Sequence, residues 1–172
     1  MLLSRSKLIR LIAFDVDGVM TDGGLYFSDS GEEFKRFNSL DGHGIKMLRA
    51  SGVEVAIITG RTSRCVEARA KNLGITHVFQ GVENKLEAMV DLLNKLKISR
   101  DAAAYMGDDV VDLTVMRHVG LAISVPESPL LVRKHSHYVT QRGGGHGAVR
   151  EACELIMSAQ DTLDAQLAPY LQ

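Results

Sequence analysis

The sequence predicts an α/β protein, a doubly wound parallel sheet with helices on both faces. Three observations carry this. Short apolar runs alternate along the chain with segments of helical periodicity. Several of those runs stop at polar turns, and neither an internal repeat nor a second compositional region breaks the alternation. Parallel neighbours need crossover connections, and helical crossovers cover the sheet on both sides.

The first element is Leu8 to Phe14, apolar and ending at Asp15-Val16-Asp17-Gly18, which reads as a strand with polar side chains at its carboxyl end. The whole start, Met1 to Phe14, is interrupted by Arg5, Lys7 and Arg10 and lacks a small-residue cleavage site, so it reads as strand and not as a secretion signal. Leu25-Tyr26-Phe27, the turn Ser28 to Gly31, and Glu33 to Phe37 together read as a β-hairpin inserted after that strand, over about residues 24–37.

Asp41 to Ala50 is a short helix stopped by Gly52, and Val53 to Ile58 is a second strand ending in Thr59-Gly60-Arg61. A helix is expected from there to Leu73, where Gly74 stops it. His77 to Phe79 is a third strand, followed by Leu86, Met89, Val90, Leu93 and Leu96 at helical spacing. Ala102 to Met106 is a fourth, ending at Gly107-Asp108-Asp109. Val110 to Arg117 reads as helix, Leu121 to Val125 as strand, Leu130 to Lys134 as a short helix and Tyr138-Val139 as a last strand. A glycine-rich segment, Gly143 to Gly147, precedes a final helix, Ala148 to Met157, and an amphipathic tail with Leu163, Leu167 and Leu171. The expectation is one domain over residues 1–172, with residues 143–172 forming that segment and tail.

Composition excludes several classes of function. Lys and Arg number 20 against 21 Asp and Glu, so a net charge of −1 provides no broad positive field for nucleic acid or anionic lipid. No apolar run approaches the roughly 20 residues of a membrane-spanning helix. Cys65 and Cys153 form no CxxC pair and suit reduced thiols, so a cytoplasmic location is expected.

The polar residues at the strand ends are the candidates for chemistry: Asp15 and Asp17, then Thr59, then Asp108 with Asp109 and Asp112, and Lys85 at a helix start. In a doubly wound sheet the strands' carboxyl ends share one edge, so these groups converge on one crevice. Carboxylates gathered there repel one another unless a cation is present, and hard oxygen ligands favour Mg²⁺. Asp15 is the candidate nucleophile toward phosphorus and Asp17 the acid and base, with its backbone carbonyl within reach of the metal. Thr59 offers a hydroxyl and N–H groups where a helix is expected to start, and Lys85 a positive charge for the phosphoryl oxygens. Asp108 completes the metal site; Asp112, one turn on, holds a metal-bound water or orients Lys85. Asp109 either joins them or simply starts the next helix. Taken singly each signal is ordinary turn or cap chemistry; as an ordered set at successive strand ends they point to phosphoryl transfer.

With those residues on the page, Asp15-Val-Asp-Gly-Val-Met-Thr-Asp22 resembles the first motif of the haloacid dehalogenase superfamily, and Thr59, Lys85 and Gly107-Asp108-Asp109-Val-Val-Asp112 resemble its second, third and fourth. The narrower match, over nearly the whole chain, is to the family of phosphatases acting on 3-deoxy-D-manno-octulosonate 8-phosphate. It adds Asn38 to Ile45, Ile58 to Arg61, Leu73 to His77 and Gly144 to Glu151. The resemblance implies a Rossmann-like core without a large cap domain, and hydrolysis of the 8-phosphate to free a sugar acid for lipopolysaccharide synthesis. It also implies a homotetramer in which one subunit's hairpin and tail help enclose a neighbour's site. A hairpin exposing aromatic side chains suits such a contact, though those side chains could equally pack on their own sheet.

A sugar acid carries a carboxylate, for which Arg61 beside Gly60 is a candidate partner through its planar fork. Arg69 and Arg150 are further candidates, Arg150 behind a glycine segment that either approaches a ligand or is a plain linker. His43 and His146, in glycine-rich turns, either touch substrate or are surface groups. Two rival readings stay open: a nine-carbon sialic-acid-type sugar phosphate as substrate, and a catalytically silent partner that kept the fold.

Overall fold

The computed structural model describes residues 1–172. The chain opens with a helix, α1 (Leu2–Lys7), and strand β1 is confined to Leu11–Phe14. The expectation of strand from the first residue is therefore corrected. Leu2 and Ser6, four apart, share the inward side of a helical turn: Ser6 is fully buried and Leu2 packs on the core. Arg5 anchors the turn by donating to the Gly120 carbonyl at 2.7 Å.

All four residues of β1 are without solvent exposure, as a central strand requires. A kinked turn, Val16–Met20, leads to the two-residue strands β2 (Tyr26–Phe27) and β3 (Glu33–Phe34), an antiparallel hairpin with Phe27 opposite Glu33. Helix α2 (Ser39–Ala50) starts where Asn38 Oδ1 accepts from the N–H groups of Leu40 and Asp41. Strand β4 (Glu54–Ile58) precedes α3 (Arg64–Leu73), which is capped by Ser63 and closed by Gly74 at φ 69°. The helix thus begins five residues after Thr59 and not at it, because Thr59 still belongs to the sheet edge: its N–H donates to the Phe79 carbonyl at 2.9 Å.

Next come β5 (His77–Phe79), α4 (Lys85–Leu96) behind its cap Asn84, and β6 (Ala103–Met106). A single helical turn, Val110–Asp112, runs into α5 (Leu113–Met116). Strand β7 (Leu121–Ser124), α6 (Leu130–Lys134), β8 (Tyr138–Val139), α7 (Ala148–Ala159) and α8 (Leu163–Leu167) complete the chain.

The six main strands are all parallel, in the order β5-β4-β1-β6-β7-β8. The chain winds one way through β4 and β5 and the other way through β6, β7 and β8, so the order reverses between β1 and β6. Such a reversal leaves a crevice at the carboxyl ends of the strands. Apolar side chains fill both sides of the sheet. Ile12, Phe14 and Ile57 meet α2, α3 and α7 on one face, while Ala13, Ile58 and Tyr105 meet α4, α5 and α6 on the other. Above the carboxyl ends stands only the hairpin, with no further layer.

The glycine-rich segment is packed against the rest of the fold and is not a free linker. Gly145 donates to the Val19 carbonyl at 3.0 Å and accepts from Asn38 Nδ2 at 3.2 Å, which binds the segment to the turn after β1. A Cβ on Gly144 would run into the Gly18 backbone, so only glycine lets the two loops close.

Candidate active site

Strands β1, β4 and β6 deliver Asp15, Thr59 and Asp108 to one cleft of about 330 Å³, whose walls also include Asp17, Gly60, Arg61, Lys85 and Asp109. Convergence follows from the parallel register: Phe14 lies level with Ile57 and Met106, so the residues just beyond these strand ends share one edge.

Asp15 leaves β1 in extended backbone, and its Oδ1 accepts from the Val16 N–H at 2.8 Å. Three residues on, Gly18 turns the chain at φ 85°, and a Cβ there would collide with the Asp108 carboxylate. Only glycine lets the turn after β1 pass so close to the end of β6.

Lys85, at the first turn of α4, reaches across this edge. Its Nζ lies 3.0 Å from Asp15 Oδ2 and 2.7 Å from Asp112 Oδ1, with 7% of the side chain exposed. Asp112 is wholly buried. Its Oδ1 also accepts from Tyr105 Oη at 2.8 Å, and its Oδ2 from the N–H groups of Asp108 and Asp109 at 3.0 and 3.1 Å. Four donors use up this carboxylate, so Asp112 orients Lys85 and braces the Asp108 turn. Tyr105 is held well above the usual phenol value by burial and then by the Asp112 charge, which keeps its proton available for donation. The sequence carries a faint sign of it, a lone polar ring in an otherwise small and apolar strand.

Burial, followed by the Asp112 charge, pushes Asp15 up to about 6 despite Lys85. Burial, followed by the charges of Asp15 and Asp112, pushes Asp108 up to about 7. For Lys85, burial opposes the charge, but the Asp15 and Asp112 carboxylates outweigh it and hold the ammonium above its ordinary value. Oxygens of Asp15, Asp108 and Asp112 lie within 4.8 Å of one another. A crowded, buried set of hard oxygen donors that must otherwise retain a proton fits a divalent cation of the Mg²⁺ type, with Asp15 and Asp108 supplying acceptor positions that the hydrogen bonds above leave open.

Asp17 faces a second set of charges that sequence reasoning missed. Lys35 Nζ donates to Asp17 Oδ1 at 2.5 Å, and Arg61 Nε stands 3.8 Å from Oδ2. Glu33 Oε1 accepts from Arg61 Nη2 at 2.8 Å and lies 3.2 Å from Lys35 Nζ. Arg61 therefore reaches the cleft, as expected, while tied to the hairpin.

The fold does not bring Arg69 or Arg150 to this cleft. Arg69 Nη2 donates to the Asn38 carbonyl at 2.9 Å and its guanidinium lies over the Phe37 ring. Arg150 pairs with Glu154 on its own helix at 2.6 Å and lines a separate hollow beside Leu40 and Arg142. His43 Nε2 is 3.0 Å from Tyr170 Oη, a contact between α2 and the tail.

A parallel sheet with a carboxylate, a buried lysine and a second carboxylate at its switch point defines a hydrolase of the haloacid dehalogenase type. The family model described as haloacid dehalogenase-like hydrolase matches residues 32–120, and the chain belongs to that family. Within it, the chain is 49% identical over 162 residues to the 3-deoxy-D-manno-octulosonate 8-phosphate phosphatase KdsC of Escherichia coli K12, covering 94% of this chain and 86% of that one. The crystal structure of the corresponding phosphatase from Moraxella catarrhalis, in complex with magnesium, phosphate and KDO, is 46% identical with a TM-score of 0.96 and covers 98% of this chain and 97% of that one. The cobalt-bound phosphatase from Haemophilus influenzae is 35% identical with a TM-score of 0.92, covering 98% and 99%. No helix is long and apolar enough to cross a membrane.

Proposed function

We infer that the chain is a magnesium-dependent phosphatase that hydrolyses 3-deoxy-D-manno-octulosonate 8-phosphate, freeing the sugar acid for lipopolysaccharide synthesis. The observation that carries the reading is the meeting of Asp15, Lys85 and Asp108 at one sheet edge, in a chain so similar to a phosphatase that binds magnesium, phosphate and KDO.

In the first step an Asp15 oxygen attacks phosphorus, the P–O bond to the sugar breaks, and the leaving oxygen takes a proton from Asp17. In the second, Asp17 accepts a proton from water as the water oxygen attacks phosphorus. The Asp15–phosphorus bond breaks and inorganic phosphate leaves. Magnesium held by Asp15, Asp108 and the Asp17 backbone carbonyl supplies positive charge that lets an anionic ester approach a carboxylate. Thr59 and Gly60 bind phosphoryl oxygen, and Lys85 balances the charge that spreads over the phosphoryl group in the transition state. Arg61 takes the substrate carboxylate. Arg69 and Arg150, outside the cleft, serve a substrate only from a neighbouring copy.

The hairpin supports self-association. Leu25, Tyr26, Phe27 and Phe34 are 52, 44, 57 and 56% exposed, so they have not packed on their own sheet. We place residues 1–172 in one domain, assembled as a homotetramer in the cytoplasm, with neighbouring subunits closing a cleft that lacks a cap. Light scattering that finds a fully active monomer contradicts the tetramer.

The test of the activity is phosphate release from 3-deoxy-D-manno-octulosonate 8-phosphate and from a nine-carbon sialic-acid-type phosphate, with magnesium and with EDTA. The expected outcome is magnesium-dependent release with kcat/KM favouring the eight-carbon ester. Preference for the nine-carbon ester reassigns the substrate, and silence toward both leaves a non-catalytic partner.

A further inference from the structure

Asp17 is the one carboxylate of the cleft whose nearest partner comes from the hairpin. Lys35, just beyond β3, puts its Nζ 2.5 Å from Asp17 Oδ1 and 3.2 Å from Glu33 Oε1. Its side chain is 3% exposed, although Phe34 and Arg36 on either side are open to solvent. A lysine on a surface hairpin ordinarily extends into water, because burial removes both its hydration and its rotamer freedom. Here the ammonium is drawn inward between two carboxylates, and Arg61 closes the group from the other side, 2.8 Å from Glu33 Oε1 and 3.8 Å from Asp17 Oδ2. Two acids and two bases balance. Lys35 itself is absent from the cleft wall, so it meets the reaction only through Asp17.

We propose that Lys35 is a positioning residue for proton transfer: it holds Asp17 Oδ1, leaves Oδ2 as the oxygen presented to the leaving group, and so makes the seating of the hairpin a condition of acid catalysis. The proposal rests on Asp17 acting as the acid in the phosphatase reading above. As the Asp15–phosphorus bond forms and the ester P–O bond breaks, the Asp17 proton moves to the ester oxygen. A carboxyl group free to rotate delivers that proton from many orientations, few of them aligned. Loss of the tether therefore slows bond breaking in proportion to the leaving group's need for a proton.

The experiment compares kcat/KM for phenyl phosphate and p-nitrophenyl phosphate, two esters of similar shape, neither carrying a substrate carboxylate. This quantity reports the steps up to transfer of the phosphoryl group to Asp15. Phenolate is basic and leaves with help from an acid, whereas p-nitrophenolate leaves without it. Lys35→Met is expected to lower kcat/KM for phenyl phosphate about tenfold or more, while p-nitrophenyl phosphate changes by less than about twofold. Lys35→Arg, which retains a cationic donor, is expected to recover most of the loss. Lys35→Gln, with a neutral donor, shows the same pattern with a smaller loss and replaces the methionine variant if that one does not fold. Equal losses on both esters, or no loss on either, overturn the proposal. A wild-type chain that hydrolyses neither these esters nor 3-deoxy-D-manno-octulosonate 8-phosphate removes the phosphatase reading, and the role with it; an active one with equal losses removes the Lys35 role alone.

Discussion

Lys85 Nζ lies 3.0 Å from Asp15 Oδ2, so an ammonium carried by α4 is joined to the carboxylate that ends β1. The same nitrogen is 2.7 Å from the buried Asp112, which makes Lys85 both a part of the site and a counter-charge for the core beneath it. Lys85→Met should therefore damage two properties together. Leaving Asp112 buried without its partner costs on the order of 3 kcal/mol of stability. Removing the charge that balances the phosphoryl oxygens lowers kcat by about a hundredfold or more. Thermal unfolding and steady-state kinetics read the two effects, and a variant that melts like wild type contradicts the first.

Asp15→Asn is the sharper test of the chemistry. The amide has nearly the same shape but cannot attack phosphorus, so turnover should disappear while unfolding stays cooperative. Normal activity in this variant would remove Asp15 from its role.

The raised values of Asp15 and Asp108, about 6 and about 7, give the metal-free protein a pH dependence. In an unfolded chain both groups lose their protons near the ordinary carboxylate value of about 4. Because the folded values are higher, their contribution to stability is complete below about pH 4 and is lost as pH rises through about 7. In EDTA the melting temperature should fall between about pH 5 and pH 8, and magnesium should recover more of it at the upper end. Asp108→Asn should show a shallower fall. A chelated wild-type sample with a flat profile contradicts the assignment.

Gly18→Ala tests the closeness of two loops. The position has φ 85°, and the added methyl would collide with the Asp108 carboxylate. A shift in the metal ligand is expected, seen as a higher magnesium concentration for half-maximal activity. An unchanged magnesium dependence would mean the turn yields without moving Asp108.

The convergence of Asp15, Thr59 and Asp108 was legible in the sequence, because parallel strands bring all their carboxyl ends to one edge; Asp15 and Thr59 follow their strands directly and Asp108 stands one residue further on, after Gly107. Lys85 was legible for the same reason, as the first residue of a helix that starts at that edge. Thr59 was correctly located, but the helix expected there begins at Arg64: the apolar pattern does not reveal that Thr59 to Ser63 remain in the loop. Tyr105 was missed because its hydrogen-bond partner, Asp112, is brought beneath the sheet edge by the turn after β6. The direction taken by a hairpin is likewise set by what it lands on, so the 18-residue separation between Asp17 and Lys35 held no signal of their contact.

Local chemistry in the sequence determined the order of strands and helices from β1 onward, their capping residues, and the set of acidic and basic groups at the strand ends. Those depend on neighbours within a few positions, where periodicity and turn chemistry act. Only the tertiary structure decided which charges meet. It buried Lys35 against Asp17, spent all four acceptor positions of Asp112, folded the glycine segment onto the turn after β1, and kept Arg69 and Arg150 away from the cleft. Each of these outcomes rests on the packing of segments distant in sequence, where desolvation and hydrogen bonding choose among partners that local pattern leaves equivalent.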